Sequence, residues 1–162
     1  MNANSFADLA GIVEDLAEEI KSGTTKLVEK TAEYADKEAA KYFERAVYAG
    51  TNDVTTDHKL ESDTEATVSA QGDAVAFIEF GTGLGPVEPP FVAGSYGKGH
   101  GAHPPWVYYG EQGNAPDTID LGEHKGGHAI LTFGNPANLC LHGARDKAEE
   151  AIPKLAKEVF DA

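Results

Sequence analysis

The sequence predicts an α+β domain with a long N-terminal helix, straight or kinked, an antiparallel β-sheet carrying a long Gly/Pro-rich loop, and a C-terminal amphipathic helix. Three observations predict it. Apolar residues recur at three and four positions near both chain ends, the signature of helices with one buried face. Short apolar runs joined by a tight glycine link occupy the middle. Residues 81–127 hold 12 of the 18 glycines and 6 of the 8 prolines, a composition that interrupts regular structure. At 162 residues the chain suits one domain, residues 1–162, divided into a helical segment (residues 1–48), a sheet segment (residues 64–133) with the loop 81–127, and a C-terminal helix in 135–162.

Ser5, with Asp8 three residues on, is a helix start, and Phe6, Leu9, Ile12, Val13, Leu16 and Ile20 follow on one face. Gly23, Thr24 and Thr25 weaken the middle, but Leu27, Val28, Thr31, Ala35, Ala39, Tyr42, Phe43 and Val47 resume the spacing. Either one kinked helix or two helices result. Residues 53–63 are polar and aperiodic and are expected as a loop, with at most a short edge strand. Residues 64–71 (TEATVSAQ) and 74–80 (AVAFIEF) are expected as an antiparallel hairpin around Gly72. The second of these is the expected core strand, ended by Gly81 because glycine accepts positive φ. Trp106, Val107, Tyr108 and Tyr109 anchor the long loop at its centre, and residues 128–133 (HAILTF) supply another strand. Asn135 before Pro136 marks a helix start, and Ala144, Ala148, Ile152, Leu155 and Val159 continue it through a kink at Pro153.

Charge excludes some functions. The net charge is −14, and residues 49–143 alone contribute −9, which disfavours tight binding to a phosphate backbone. The longest purely apolar run, residues 74–78, falls far short of the roughly 20 residues that span a bilayer. With no secretory signal visible behind Met1, a soluble protein made in the cytoplasm is expected, with no membrane partner. One cysteine, Cys140, precludes an intrachain disulfide.

Catalytic and metal constellations are weak. His100, His103, His124, His128 and His142 lie in or after the loop, and His124 with His128 has helical spacing, but the glycines between them do not favour a helix. The run 97–101 (GKGHG) lacks the grammar of a phosphate loop, and Ser95 has no activating partner in view. Glu79 is the acid with an unusual position, flanked by Phe77, Ile78 and Phe80; it is expected to accept hydrogen bonds from the turn amides of residues 81–83. No catalytic residue, metal ligand or cofactor follows from these patterns. The runner-up is a small metal-binding or hydrolytic protein using the histidine-rich loop, and a third reading is a generic acidic partner-binding module.

Residues 78–83 (IEFGTG), a variable Gly/Pro-rich loop with a tryptophan, and residues 134–138 (GNPAN) before a C-terminal amphipathic helix together resemble the tail-component family of long-tailed double-stranded DNA bacteriophages. That family comprises neck and tail-completion (head–tail joining) proteins. The motif residues are Glu79, Phe80, Gly81, Thr82, Gly83, Trp106, Gly134, Pro136, Ala137 and Asn138. The chain departs from the family pattern at 139–144 (LCLHGA) and at 49–53 (AGTND). The resemblance implies a non-enzymatic virion protein forming a homo-oligomeric ring, a hexamer, that meets head–tail connector and tail-tube proteins. Genomic DNA would pass through its lumen without tight binding, past repelling acids. Its location would be the virion tail or neck, and the host cytoplasm during assembly.

Overall fold

A computed structural model describes residues 6–81, 106–115, 118–124, 126–132, 135 and 137–161. The expected α+β class is what forms, with helices at both ends and antiparallel sheets between them. In chain order the elements are α1 (Phe6–Glu44), β1 (Thr55–Ser62), β2 (Glu65–Gln71), α2 (Val75–Phe80), β3 (Trp106–Gly110), β4 (Thr118–His124), β5 (Gly127–Thr132) and α3 (Cys140–Phe160).

α1 is one continuous helix of 39 residues. The Gly23–Thr25 stretch does not break it, because Thr24 and Thr25 donate their hydroxyls to the carbonyls of Ile20 and Lys21, one turn back. α3 runs antiparallel to α1, since Phe160 lies over Gly23, Lys30 meets Glu158, and Tyr42 lies against Gly143. Small residues make this approach possible: Ala32, Ala39, Ala144 and Ala148 are all buried. Residues 6–22 of α1, about 25 Å of helix at 1.5 Å per residue, precede the point where Phe160 reaches Gly23.

The hairpin differs from the expected one. β1 pairs with β2 around the turn at Asp63 and Thr64, so residues 55–62, expected as a loop with at most a short edge strand, form a strand of 8 residues. Thr56 and His58 alternate inward toward α1, where Thr56 Oγ1 donates to the Asp36 carbonyl and His58 Nδ1 meets Asp36 Oδ2 at 2.8 Å. Residues 74–80 are not the core strand but mainly the short helix α2. Ala74, Val75, Ile78 and Glu79 turn inward while Ala76, Phe77 and Phe80 face out, a helical rather than alternating pattern. Gly81 does take positive φ, 76°, ending that helix rather than a strand.

The second sheet has the order β3-β5-β4, all antiparallel, with Trp106 paired to Thr132 at its edge. β4 bulges between Asp120 and Glu123, where Gly122 at φ 102° donates its amide to Asp120 Oδ1. α3 begins at Cys140, later than Asn135–Pro136, and continues through Pro153. The core gathers at the C-terminal end of α1, where Phe43, Ala46, Ala74, Ile78 and Cys140 pack together under Tyr42, Tyr48, Val54 and Leu141.

Candidate functional site

Residues 45–54 join α1 to β1 as a strap without regular structure, so their amides and carbonyls need partners from elsewhere. Asparagines supply them. Asn138 Oδ1 accepts from the Val47 amide at 2.8 Å while its Nδ2 donates to the Val47 carbonyl at 3.0 Å and to the Ile78 carbonyl at 3.2 Å. Asn114 accepts from the Tyr48 amide and donates to the Ala46 carbonyl. Asn135 accepts from the Ala49 amide at 2.6 Å, and Asn52 accepts from the Val54 amide at 3.2 Å while donating to the Phe43 carbonyl in the last turn of α1 at 2.7 Å. A carboxamide offers a donor and an acceptor side by side, as a peptide does, so these side chains stand in for a neighbouring strand. Backbone bonds complete the strap, from Gly113 N to the Ala49 carbonyl and from Ala115 N to the Tyr48 carbonyl, and the Tyr108 hydroxyl also donates to Ala49.

Two carboxylates cap helices to which they do not belong. The N-cap residue of α3 is Leu139, in left-handed conformation at φ 50°, with no side-chain cap. Glu79, only 5 % exposed, supplies it instead: Leu141 N donates to Oε2 at 3.0 Å and His142 N to Oε1 at 3.4 Å. The expected acceptance from the amides of residues 81–83 falls largely outside the described residues, and the donors seen are those of α3. α2 starts at Ala74, which also lacks a capping side chain; Asp53 reaches across to accept from Asp73 N at 2.7 Å and Ala74 N at 2.9 Å. Those amides hold the Asp53 carboxyl below its ordinary value.

Of the motif residues, Glu79, Gly81 and Asn138 thus converge on one corner, with Ala137 beside it. Phe80 projects outward, about half exposed. Trp106 lies on β3 by its backbone, and Thr82, Gly83, Gly134, Pro136 and the Trp106 side chain fall outside the described residues. Sequence reasoning missed Asp53, Gly113 and Asn114. The available signal was asparagines placed next to glycines in segments without hairpin spacing, a poor guide to partners 60 or more residues away. Gly113 is required by a close approach, since a Cβ there would collide with the carbonyl oxygens of Tyr48 and Gly50.

Reactive groups near this corner are quiet. Burial, with the Glu79 charge adding to it, pushes the Cys140 thiol up to about 12, so it stays protonated at neutral pH and is no nucleophile. His128 Nδ1 meets Asp120 Oδ2 at 2.6 Å and the His124 ring packs near Tyr109, so the spaced pair is engaged separately within the sheet. Among the described residues, the cluster of ligand-type groups that comes together is Asp36, Asp57 and His58, with potential ligand atoms within 4.8 Å of one another. Burial raises the Asp36 carboxyl, but hydrogen bonds from Thr56 and His58 outweigh it and leave the group below its ordinary value. His58 is the histidine that lies outside the loop cluster singled out by spacing.

Among the described residues, apolar surface is left open in several places. An apolar groove of about 490 Å³ runs between α1, β2 and α3, bordered by Leu27, Val68, Leu141, Ala148 and Ile152. The second sheet exposes Val107, Tyr109, Ile119 and Leu121, and α1 exposes Phe6, Leu9, Val13, Leu16 and Ile20. Comparison with protein-family models, with curated proteins and with solved structures finds no match. No helix among the described residues is long and apolar enough to cross a membrane.

Proposed function

We propose that the protein is a structural, non-enzymatic subunit of a long-tailed bacteriophage, a ring-forming tail-completion or neck component at the head–tail junction. The observation that carries this reading is that the two motif segments are bonded to each other. Asn138 N donates to the Ile78 carbonyl and Leu139 N to the Glu79 carbonyl, and Glu79 caps the helix that GNPAN introduces. The resemblance therefore rests on one structural corner rather than on two separate stretches. Open apolar surfaces on the protomer support a role in assembly, since monomers rarely leave large apolar patches uncovered.

In this role the partners are further copies of the chain, six to a ring, with head–tail connector and tail-tube proteins on either side. Genomic DNA passes the lumen without being held, consistent with a net charge of −14. The site of action is the virion neck, reached from the host cytoplasm. Negative-stain imaging and native mass measurement of the purified chain test the ring, with closed six-membered rings around an open centre expected. A stable monomer, or retention of duplex DNA at moderate salt, overturns the assignment.

A further inference from the structure

We infer that residues 6–20 of α1 form a parallel two-stranded coiled coil with the same segment of a second copy of this chain. The spacing Phe6, Leu9, Val13, Leu16, Ile20 alternates three and four without exception, which is the heptad seam of period 3.5. Phe6, Val13 and Ile20 occupy one seam position and Leu9 and Leu16 the other. β-branched Val and Ile in the first set, with leucine throughout the second, is the choice that favours two parallel strands. Ala10 and Ala17 flank the seam on one side and Ile12 and Glu19 on the other, while Glu14, Asp15 and Glu18 lie away from it.

The arm is the N-terminal part of a continuous helix and so needs no nucleation of its own. It carries like-charged pairs four residues apart, Glu14 with Glu18 and Asp15 with Glu19, which weaken it. Yet it is helical, with Phe6 93 % exposed and the other four seam residues 48–56 % exposed. Phe6 alone leaves about 200 Å² uncovered, and the four aliphatics carry the stripe beyond the few hundred Å² that a monomer tolerates. Two such stripes face to face approach the ~1,000 Å² that a specific interface needs. A second copy is the occupant whose pattern matches residue for residue.

This pairing rests on the self-association in the functional reading and adds a two-fold contact to it; ring closure needs a separate, head-to-tail contact. The test uses the full chain at tens of micromolar. Native mass is expected at an even multiple of 17.1 kDa. Leu9→Glu with Leu16→Glu should weaken pairing ~100-fold or more while leaving the thermal unfolding of the α1–α3 body in place. Leu16→Cys should cross-link to itself under mild oxidation, whereas Glu18→Cys, on the outer face, should not; buried Cys140 does not compete. A monomeric wild type, an odd-numbered assembly, or a mass unchanged by the two glutamates overturns the pairing. A dimer that cross-links at Leu16→Cys but closes no ring upholds the pairing and removes the ring reading.

Discussion

The strap at residues 45–54 follows α1, the arm at residues 6–20 is that helix's N-terminal part, and the two pose opposite problems. In the strap, backbone groups without secondary structure are bonded one by one by Asn52, Asn114, Asn135 and Asn138. In the arm, the backbone beyond the first turn is bonded within the helix and the apolar side chains are the groups left without cover. The difference separates two uses of surface. Polar satisfaction within the chain fixes the protomer, while uncovered apolar area is what the proposed pairing of copies would bury.

Substitutions can break or sharpen that contrast. The largest effect is expected from Gly113→Ala, whose Cβ has no room against the strap carbonyls; a loss of about 3 kcal/mol should appear in chemical denaturation. Asn138→Ala strips Val47 of both partners and Ile78 of one, costing about 2–3 kcal/mol, and Asn138→Asp should restore little because it cannot donate. Glu79→Ala removes the α3 cap for about 1–2 kcal/mol, with Glu79→Gln losing less. If any of these altered assembly while leaving unfolding untouched, strap and arm would not be distinct in role. The smallest protomer effect should come from Leu9→Glu or Leu16→Glu, within about 0.5 kcal/mol of wild type.

Acid sharpens the same contrast within the strap. The Asp53 carboxyl is held below 3.8 by the amides of Ala74 and Asp73. A depressed folded value means that the stability from ionised Asp53 is present above the unfolded value and is lost as pH falls through the folded one. Asp53→Asn should thus be less stable than wild type at neutral pH, with the two converging below about pH 4. Parallel curves throughout that range would show that the contact contributes nothing.

Both terminal helices were legible because their patterns are long and their periods repeat over several turns. The α+β class followed from them. α2 was not legible: AVAFIEF satisfies a strand pattern locally, and what makes it helical includes a cap from Asp53, 20 residues earlier. β1 was legible at most as a short edge strand for a related reason, since Thr56 and His58 face α1 with polar rather than apolar side chains and leave no alternation of hydropathy. Glu79 was singled out correctly as an acid needing donors, but the donors lie 62 and 63 residues onward and no local spacing reveals them. Asn138 was placed as the lead-in to a helix; its role in bonding Val47 could be seen only once the chain ends met.

The caps supplied across the fold also bear on the order in which the molecule can form. Neither α2 nor α3 carries its own capping side chain, and the strap receives its partners from positions 114, 135 and 138. During synthesis, α1 and the β1–β2 hairpin emerge with the strap still hydrated, and nothing upstream of residue 114 supplies the distant asparagine bonds of residues 46–49. Closure therefore waits for nearly the whole chain and then engages strap, α2 and α3 together. In hydrogen exchange, the amides of Val47, Ala49 and Leu141 should share one opening free energy, the mark of a single cooperative unit.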